Sequence, residues 1–169
     1  MKRYALATLA VVLALSAVLV GGWFSQAAAK ELKILEFGTM VGLPQAFTGA
    51  QNPIRGVNGG GLPWTISSGS GELKANGELE ISVQGLVLAA GPNAGNNPVA
   101  NFRAIVSCLT SDASVVNVST GLFPATLGAA SAGGGNAHIE ASLTLPQPCI
   151  APIIFVTNPN GAWFAATGH

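Results

Sequence analysis

Charge is what this sequence has least of. Asp, Glu, Lys and Arg make up only 8% of its 169 residues, whereas about a quarter is usual for soluble proteins. The few basic residues form no cluster, so the chain lacks the positive surface that nucleic acids and anionic lipids bind. We therefore predict no nucleic-acid partner. Small uncharged residues must supply most of the surface, and such a weakly hydrated surface favours self-association or binding of another protein.

Catalytic groups are equally scarce. The sequence has two histidines and one aspartate, and it contains neither a G-x-S-x-G nucleophile motif nor a phosphate-binding glycine pattern. His138 and Glu140 lie two residues apart on a predicted strand, so a hydrolase that combines them with a serine is one hypothesis. A solvent-exposed pair of strand side chains is the simpler interpretation. We predict that the protein is not an enzyme and uses no catalytic residues, metal or other cofactor.

Only two cysteines occur, Cys108 and Cys149, and they form no C-x-x-C motif. In an exported chain an even number of cysteines is expected to be oxidised, and two cysteines permit a single connectivity. We therefore predict a disulfide between them rather than a redox or metal site.

The N-terminal residues 1–29 are predicted to be a signal peptide rather than part of the fold. Lys2 and Arg3 precede an apolar run, and Ala27–Ala29 forms a small-residue cleavage site. The apolar run is also long enough for an uncleaved membrane anchor. Residues 30–169 suffice for a single domain. We predict a secreted, extracellular or cell-surface location, with the periplasm as an alternative, and no membrane contact unless the anchor is retained.

The clearest structural signal is Asn76-Gly77 in the stretch G-E-L-K-A-N-G-E-L-E-I-S-V. Both residues tolerate positive φ, so the pair predicts a β-hairpin. A three-residue loop with Gly77 in a left-handed bulge pairs Leu73 with Leu79, which separates the charged face from the apolar face. A two-residue loop would mix the two kinds of side chain. We therefore predict the three-residue register.

The predicted register also sets Glu72 opposite Glu80 on the exposed face. Two neighbouring carboxylates raise the hypothesis of a divalent-cation site, but hard cations usually gather about six or more oxygens from several segments. Lys74 is adjacent to these carboxylates and screens their charge. We expect an ion-paired strand face and no metal.

Short alternations of apolar and polar residues, separated by Gly, Pro and Asn turns, continue along the chain. They are clearest over residues 101–110, 115–119 and 137–145, whereas residues 128–136 are predicted to be a small-residue linker. About eight short strands at this spacing predict an all-β fold, a two-layer antiparallel β-sandwich. Immunoglobulin-like and jelly-roll strand orders fit the pattern equally well.

A ligand-binding surface is the main functional alternative. Sugar-binding surfaces rely on exposed tyrosine and tryptophan, and the only tyrosine lies in the predicted signal peptide. The glycine- and proline-rich loop 48–63 is long enough to suggest a function. Its candidate ligand-binding residues, with one tryptophan from the last predicted hairpin, are Trp64, Arg55, Gln51, Asn58 and Trp163. The competing interpretation places both tryptophans in the core.

The sequence thus predicts a secreted, non-catalytic structural or interaction module of the cell surface or extracellular space. Its partner would be another protein or a second copy of the chain. The alternative is a ligand-binding domain, in particular a glycan-binding one, built on the 48–63 loop and Trp64.

Overall fold

The structure is a computed structural model that describes residues 32–167. The predicted signal peptide and its cleavage site therefore lie outside the described residues.

Within this range the chain forms fourteen β-strands and two single-turn 3₁₀ helices. The strands are β1 (Lys33–Phe37), β2 (Met40–Gly42), β3 (Trp64–Thr65), β4 (Ser68–Lys74), β5 (Glu78–Gln84), β6 (Val87–Leu88), β7 (Asn96–Asn97), β8 (Asn101–Leu109), β9 (Val115–Ser119), β10 (Phe123–Pro124), β11 (Gly128–Ala129), β12 (Ala137–Ser142), β13 (Ile150–Thr157) and β14 (Trp163–Thr167). The helices span Gln45–Phe47 and Ala130–Ala132. Neither of these short turns could cross a membrane.

Two antiparallel sheets form the body of the molecule. The strand order is β1-β4-β5-β12 in the first sheet and β10-β8-β13-β14-β2 in the second, where β9 also pairs with β8. The two-stranded pairs β3-β6 and β7-β11 are smaller additions. Buried apolar side chains from both large sheets belong to one continuous cluster. The predicted all-β sandwich is confirmed.

The central hairpin, β4-β5, has the predicted register. Leu73 pairs with Leu79 and Glu72 pairs with Glu80, while Gly77 adopts φ +91°. The Asn76 side-chain oxygen accepts a hydrogen bond from the Glu78 amide at 2.9 Å and so closes the turn. Along β5 buried and exposed residues alternate strictly, because one face packs on the core and the other meets water.

The predicted disulfide is also confirmed. Cys108 on β8 is bonded to Cys149, which immediately precedes β13, and their Cα atoms are 4.9 Å apart. Because β8 and β13 are paired, the bond joins neighbouring strands of the second sheet. Cys108 is completely buried.

The outer face of the second sheet is covered by the chain between β2 and β3, which includes the predicted loop. The Phe47 and Trp163 rings lie 6.2 Å apart, and the Gly60 amide donates a hydrogen bond to the Trp163 carbonyl at 2.9 Å. Arg55 reaches across the sheet and donates to the carbonyls of Ser107 and Ala151, each at 2.9 Å. Much of β8 and β13 is therefore buried on both faces.

The segment 128–136, predicted to be a linker, is partly regular. Gly128 and Ala129 form β11 against β7, and a 3₁₀ turn follows over Ala130–Ala132. These residues show no apolar alternation, so their strand could not be predicted from the sequence, and it is defined by its pairing with β7. Pro124 lies in the two-residue edge strand β10, a position where its missing N–H is tolerated.

Candidate functional site

The exposed face of the first sheet carries a row of carboxylates. Glu36 pairs with Glu72, Glu72 with Glu80 and Glu80 with Glu140, so one glutamate from each of the four strands occupies the same row. The sequence revealed only the central pair, because the other two positions depend on how β1 and β12 align with the hairpin. An open depression of about 620 Å³ lies over part of this row.

Lysine and histidine side chains offset this negative charge. The Lys33 ammonium lies 2.6 Å from a Glu72 oxygen and 3.2 Å from a Glu36 oxygen. These two carboxylates raise the pKa of Lys33, the Glu72 hydrogen bond contributing most. Lys74 pairs with Glu78 at 2.6 Å. The carboxylate row is therefore part of an ion-paired face, as the sequence predicts, and such exposed pairs contribute little stability.

His138 lies on the same face but makes no short catalytic contact. Its Nε2 atom is 4.0 Å from Glu80 and 3.9 Å from Glu140, and both carboxylates and the imidazole are exposed. No hydrogen bond joins His138 to a serine hydroxyl among the described residues. In residues 32–167, no group of three or more His, Cys, Asp or Glu side chains is placed to hold a metal ion.

The two tryptophans proposed as ligand-binding residues lie in the core. Trp64 is 5% exposed and stacks on Phe164, with the ring centroids 3.8 Å apart. Trp163 is 3% exposed and packs between Phe47 and Phe155. Neither indole offers an aromatic face to a ligand, and the last hairpin is buried on both sides. Short apolar strands show the same pattern in sequence whether one face or both are covered.

The three polar residues predicted to bind a ligand do not lie together in the structure. Arg55 hydrogen-bonds backbone carbonyls of β8 and β13 and so fixes its loop to the sheet. Gln51 is exposed in the same loop and does not line the groove that Asn58 lines. Asn58 is exposed and lines a groove on the outer face. The structure thus brings Asn58 to a concave surface but does not assemble the five predicted residues into one site.

That concave surface, which we term the outer-face groove, has a volume of about 380 Å³. The loop between β2 and β3, β8, β9 and the turn between β13 and β14 all contribute to it. Its polar side chains are Asn58, Arg103, Asn117, Ser119 and Asn160. Arg103 Nε is buried without a hydrogen-bond partner in the described part of the chain. Sequence reasoning missed this groove, because four distant segments form it.

The β8-β9 turn is held by one carboxylate. Asp112 accepts hydrogen bonds from the hydroxyls of Thr110 and Ser114. These hydrogen bonds, Thr110 first, lower the pKa of Asp112. Past this turn, β9 forms a free edge of the second sheet, because among the described strands it pairs with β8 alone.

Comparisons of the chain with protein-family models, with curated protein sequences and with solved structures find no match.

Proposed function

We propose that this chain is an exported, non-catalytic module that acts by association, and that a second copy of itself pairs with the free edge of β9. The observation that carries the proposal is the uncharged edge of β9, a five-residue strand with β8 as its single partner among the described strands, whereas both edge strands of the first sheet carry charge. The disulfide supports export, because such bonds persist in oxidising compartments. A secreted or cell-surface location is part of the proposal.

The backbone groups at the β9 edge point away from the sheet. Thr110 donates to the Ser114 carbonyl, and Thr120 donates to the Ala104 carbonyl. Even-numbered residues of this strand therefore face β8. Because hydrogen-bonded and non-hydrogen-bonded pairs alternate in antiparallel strands, the N–H and C=O groups of Val115, Asn117 and Ser119 face the free edge.

Charge separates β9 from the two edge strands of the first sheet. The uncharged strand β2, at the other end of the second sheet, is only three residues long. Natural edge strands are usually protected from pairing by charged side chains. In the first sheet, β1 carries Lys33 and Glu36, and β12 carries Glu140. In contrast, no Asp, Glu, Lys or Arg occurs from residue 113 to 139. Val115 at the start of β9 is also 45% exposed.

An antiparallel second copy fits this edge without conflict. A twofold axis through Asn117 places Val115 opposite Ser119 of the other copy, and about six backbone hydrogen bonds can form between the two copies. No like charges meet. The interface is symmetric, so each copy contributes the same surface, its β9 strand.

The test is sedimentation of the protein purified with its disulfide intact, over a wide range of concentration. The parent protein is expected to form dimers. A Val115→Lys/Ser119→Lys variant places like charges opposite each other in both pairs and should weaken dimerisation at least tenfold. Val115→Lys/Ser119→Glu places opposite charges there and should retain the dimer. Ser142→Lys on β12 serves as the control that leaves association unchanged.

Two results would refute the proposal. One is a parent protein that stays monomeric at the highest concentration reached. The other is equal association of the Lys/Lys and Lys/Glu variants, which would show that the copies meet through another surface.

A further inference from the structure

The outer-face groove suggests a binding function that does not depend on association of two copies. We propose that it binds a small sugar acid, with the Arg103 guanidinium holding the carboxylate and the surrounding amide and hydroxyl side chains holding the sugar hydroxyls. Three observations support it: the placement of charge, a guanidinium without a partner among the described residues, and the lining of the groove.

Charge is distributed unevenly between the two outer faces of the sandwich. The glutamates at 36, 72, 78, 80 and 140 belong to the first sheet, and the ion pairs described above all involve residues of that sheet. Arg55 and Arg103 lie on the opposite side of the molecule. An anion that approaches the second sheet therefore meets positive charge without a neighbouring row of carboxylates.

The two arginines differ in what they contact. Arg55 donates from one guanidinium nitrogen, Nη1, to two backbone carbonyls. The Arg103 guanidinium forms no hydrogen bond or ion pair with the described residues, and its Nε atom is buried without a partner. Buried polar atoms nearly always have a hydrogen-bond partner, and an uncompensated buried polar group costs free energy. Nε itself is too buried for a ligand to reach, but the terminal guanidinium nitrogens are not buried, so a ligand in the groove can supply acceptor oxygens to them.

A carboxylate is the acceptor that suits this position. The planar guanidinium presents donors in a fork that matches the two oxygens of a carboxylate. The apolar side chain of Ile105, only 7% exposed, forms part of the lining beside Arg103. Low local polarity strengthens such a charged pair.

The rest of the lining suits hydroxyl groups. The amides of Asn58 and Asn160 and the hydroxyl of Ser119 make no hydrogen bond to another described residue, whereas the Asn117 amide donates to the Arg55 carbonyl. An amide both donates and accepts hydrogen bonds, as a sugar hydroxyl does. The volume of about 380 Å³ falls within the range of small-molecule sites, about 300–1,000 Å³. Together these features favour a single acidic sugar over a longer chain.

The test is calorimetric titration of the disulfide-intact protein with sodium glucuronate, glucose and sodium acetate at constant ionic strength. Glucuronate is expected to bind saturably at one site per chain, acetate at least tenfold more weakly and glucose not at all. Arg103→Gln should weaken glucuronate binding at least tenfold. Arg103→Lys should also weaken it, because an ammonium keeps the charge but lacks the fork.

Two further variants distinguish a loss of glucuronate binding at the groove from a loss caused by misfolding. Asn160→Ala changes only an exposed turn side chain and should weaken glucuronate binding several-fold. Lys33→Gln removes one positive charge from the opposite face and should leave binding unchanged. Absence of saturable glucuronate binding, or unchanged binding by well-folded Arg103→Gln, would overturn the proposal. Equal affinity for acetate and glucuronate would overturn the assignment to a sugar acid.

Discussion

A substitution at Gly77 can measure how much the contact between the central hairpin and the residue that follows β12, Leu143, contributes to stability. Gly77 adopts φ +91°, and an added Cβ would lie 1.8 Å from the carbonyl oxygen of Leu143. The Leu143 amide donates a hydrogen bond to the Gly77 carbonyl at 2.9 Å. Gly77→Ala therefore creates backbone strain and also forces apart two segments that touch through their main chains.

Gly128 supplies a matched control for the strain alone. It adopts φ +93°, and an added Cβ would meet no atom within 4 Å. A non-glycine residue in such a conformation costs about 1–3 kcal/mol, so Gly128→Ala should lower the free energy of unfolding by that amount. Gly77→Ala carries the same cost, about 1 kcal/mol for the lost hydrogen bond, and the cost of displacing the Leu143 carbonyl.

Urea unfolding of both variants provides the assay, with unfolding midpoints compared at equal slopes. We expect Gly77→Ala to be less stable than Gly128→Ala by at least about 1 kcal/mol. Hydrogen exchange at the Leu143 amide should accelerate only in Gly77→Ala. Equal loss of stability in the two variants would refute the reasoning, because the contact of Leu143 with the hairpin turn would then contribute nothing to the free energy of unfolding.

Two further predictions concern the disulfide and the β8-β9 turn. Reduction, or the Cys108→Ala/Cys149→Ala variant, opens a bond between residues 41 apart and should lower the free energy of unfolding in urea by about 4 kcal/mol; an unchanged midpoint would contradict this. The lowered pKa of Asp112 means that its turn contributes stability above the ordinary carboxyl pKa, and that this stability is lost as the pH falls through the lowered value. An NMR titration should show the Asp112 pKa rising in Thr110→Val, and an unshifted value would rule out the hydroxyl as the main cause.

The parts of the fold that the sequence predicts are those set by local chemistry. The hairpin register follows from Asn76-Gly77 together with the alternation of β5, because a slip of one residue exchanges its two faces. The disulfide follows from the presence of two cysteines in a chain predicted to be exported. Both predictions depend on residues that are neighbours in sequence or that have no competing partner.

The outer face of the second sheet shows where such reasoning ends. Along β8, the alternation of Phe102, Ala104 and Val106 with Arg103 and Ile105 predicts one buried face, yet Ile105 is only 7% exposed. The loop that covers it has no apolar periodicity. Arg55 of that loop is fixed by carbonyls 52 and 96 residues away. Hydrogen bonds to backbone carbonyls so distant in sequence cannot be predicted from the sequence pattern, because every residue has such a carbonyl.

The same covering loop explains why the predicted binding residues and the observed groove differ. A glycine-rich loop next to a tryptophan suggests a mobile arm with an aromatic contact. The Gly60 amide instead bonds the Trp163 carbonyl at 2.9 Å, which ties the loop to the sheet and buries the indole. What remains open is the space between the loop and β9, where Arg103 and Asn58 lie.

The few charged residues of this chain are distributed unevenly between its two sheets. Five of the described carboxylates and both described lysines lie on the first sheet, and both edge strands of that sheet carry at least one of them. Because charged edges resist pairing, we propose that association uses β9, the longest of the uncharged edge strands of the second sheet. The same distribution leaves Arg103 without a carboxylate partner on the second sheet. A single feature of the composition, few charges concentrated on one face, thus underlies both the proposed contact between copies and the proposed anion site.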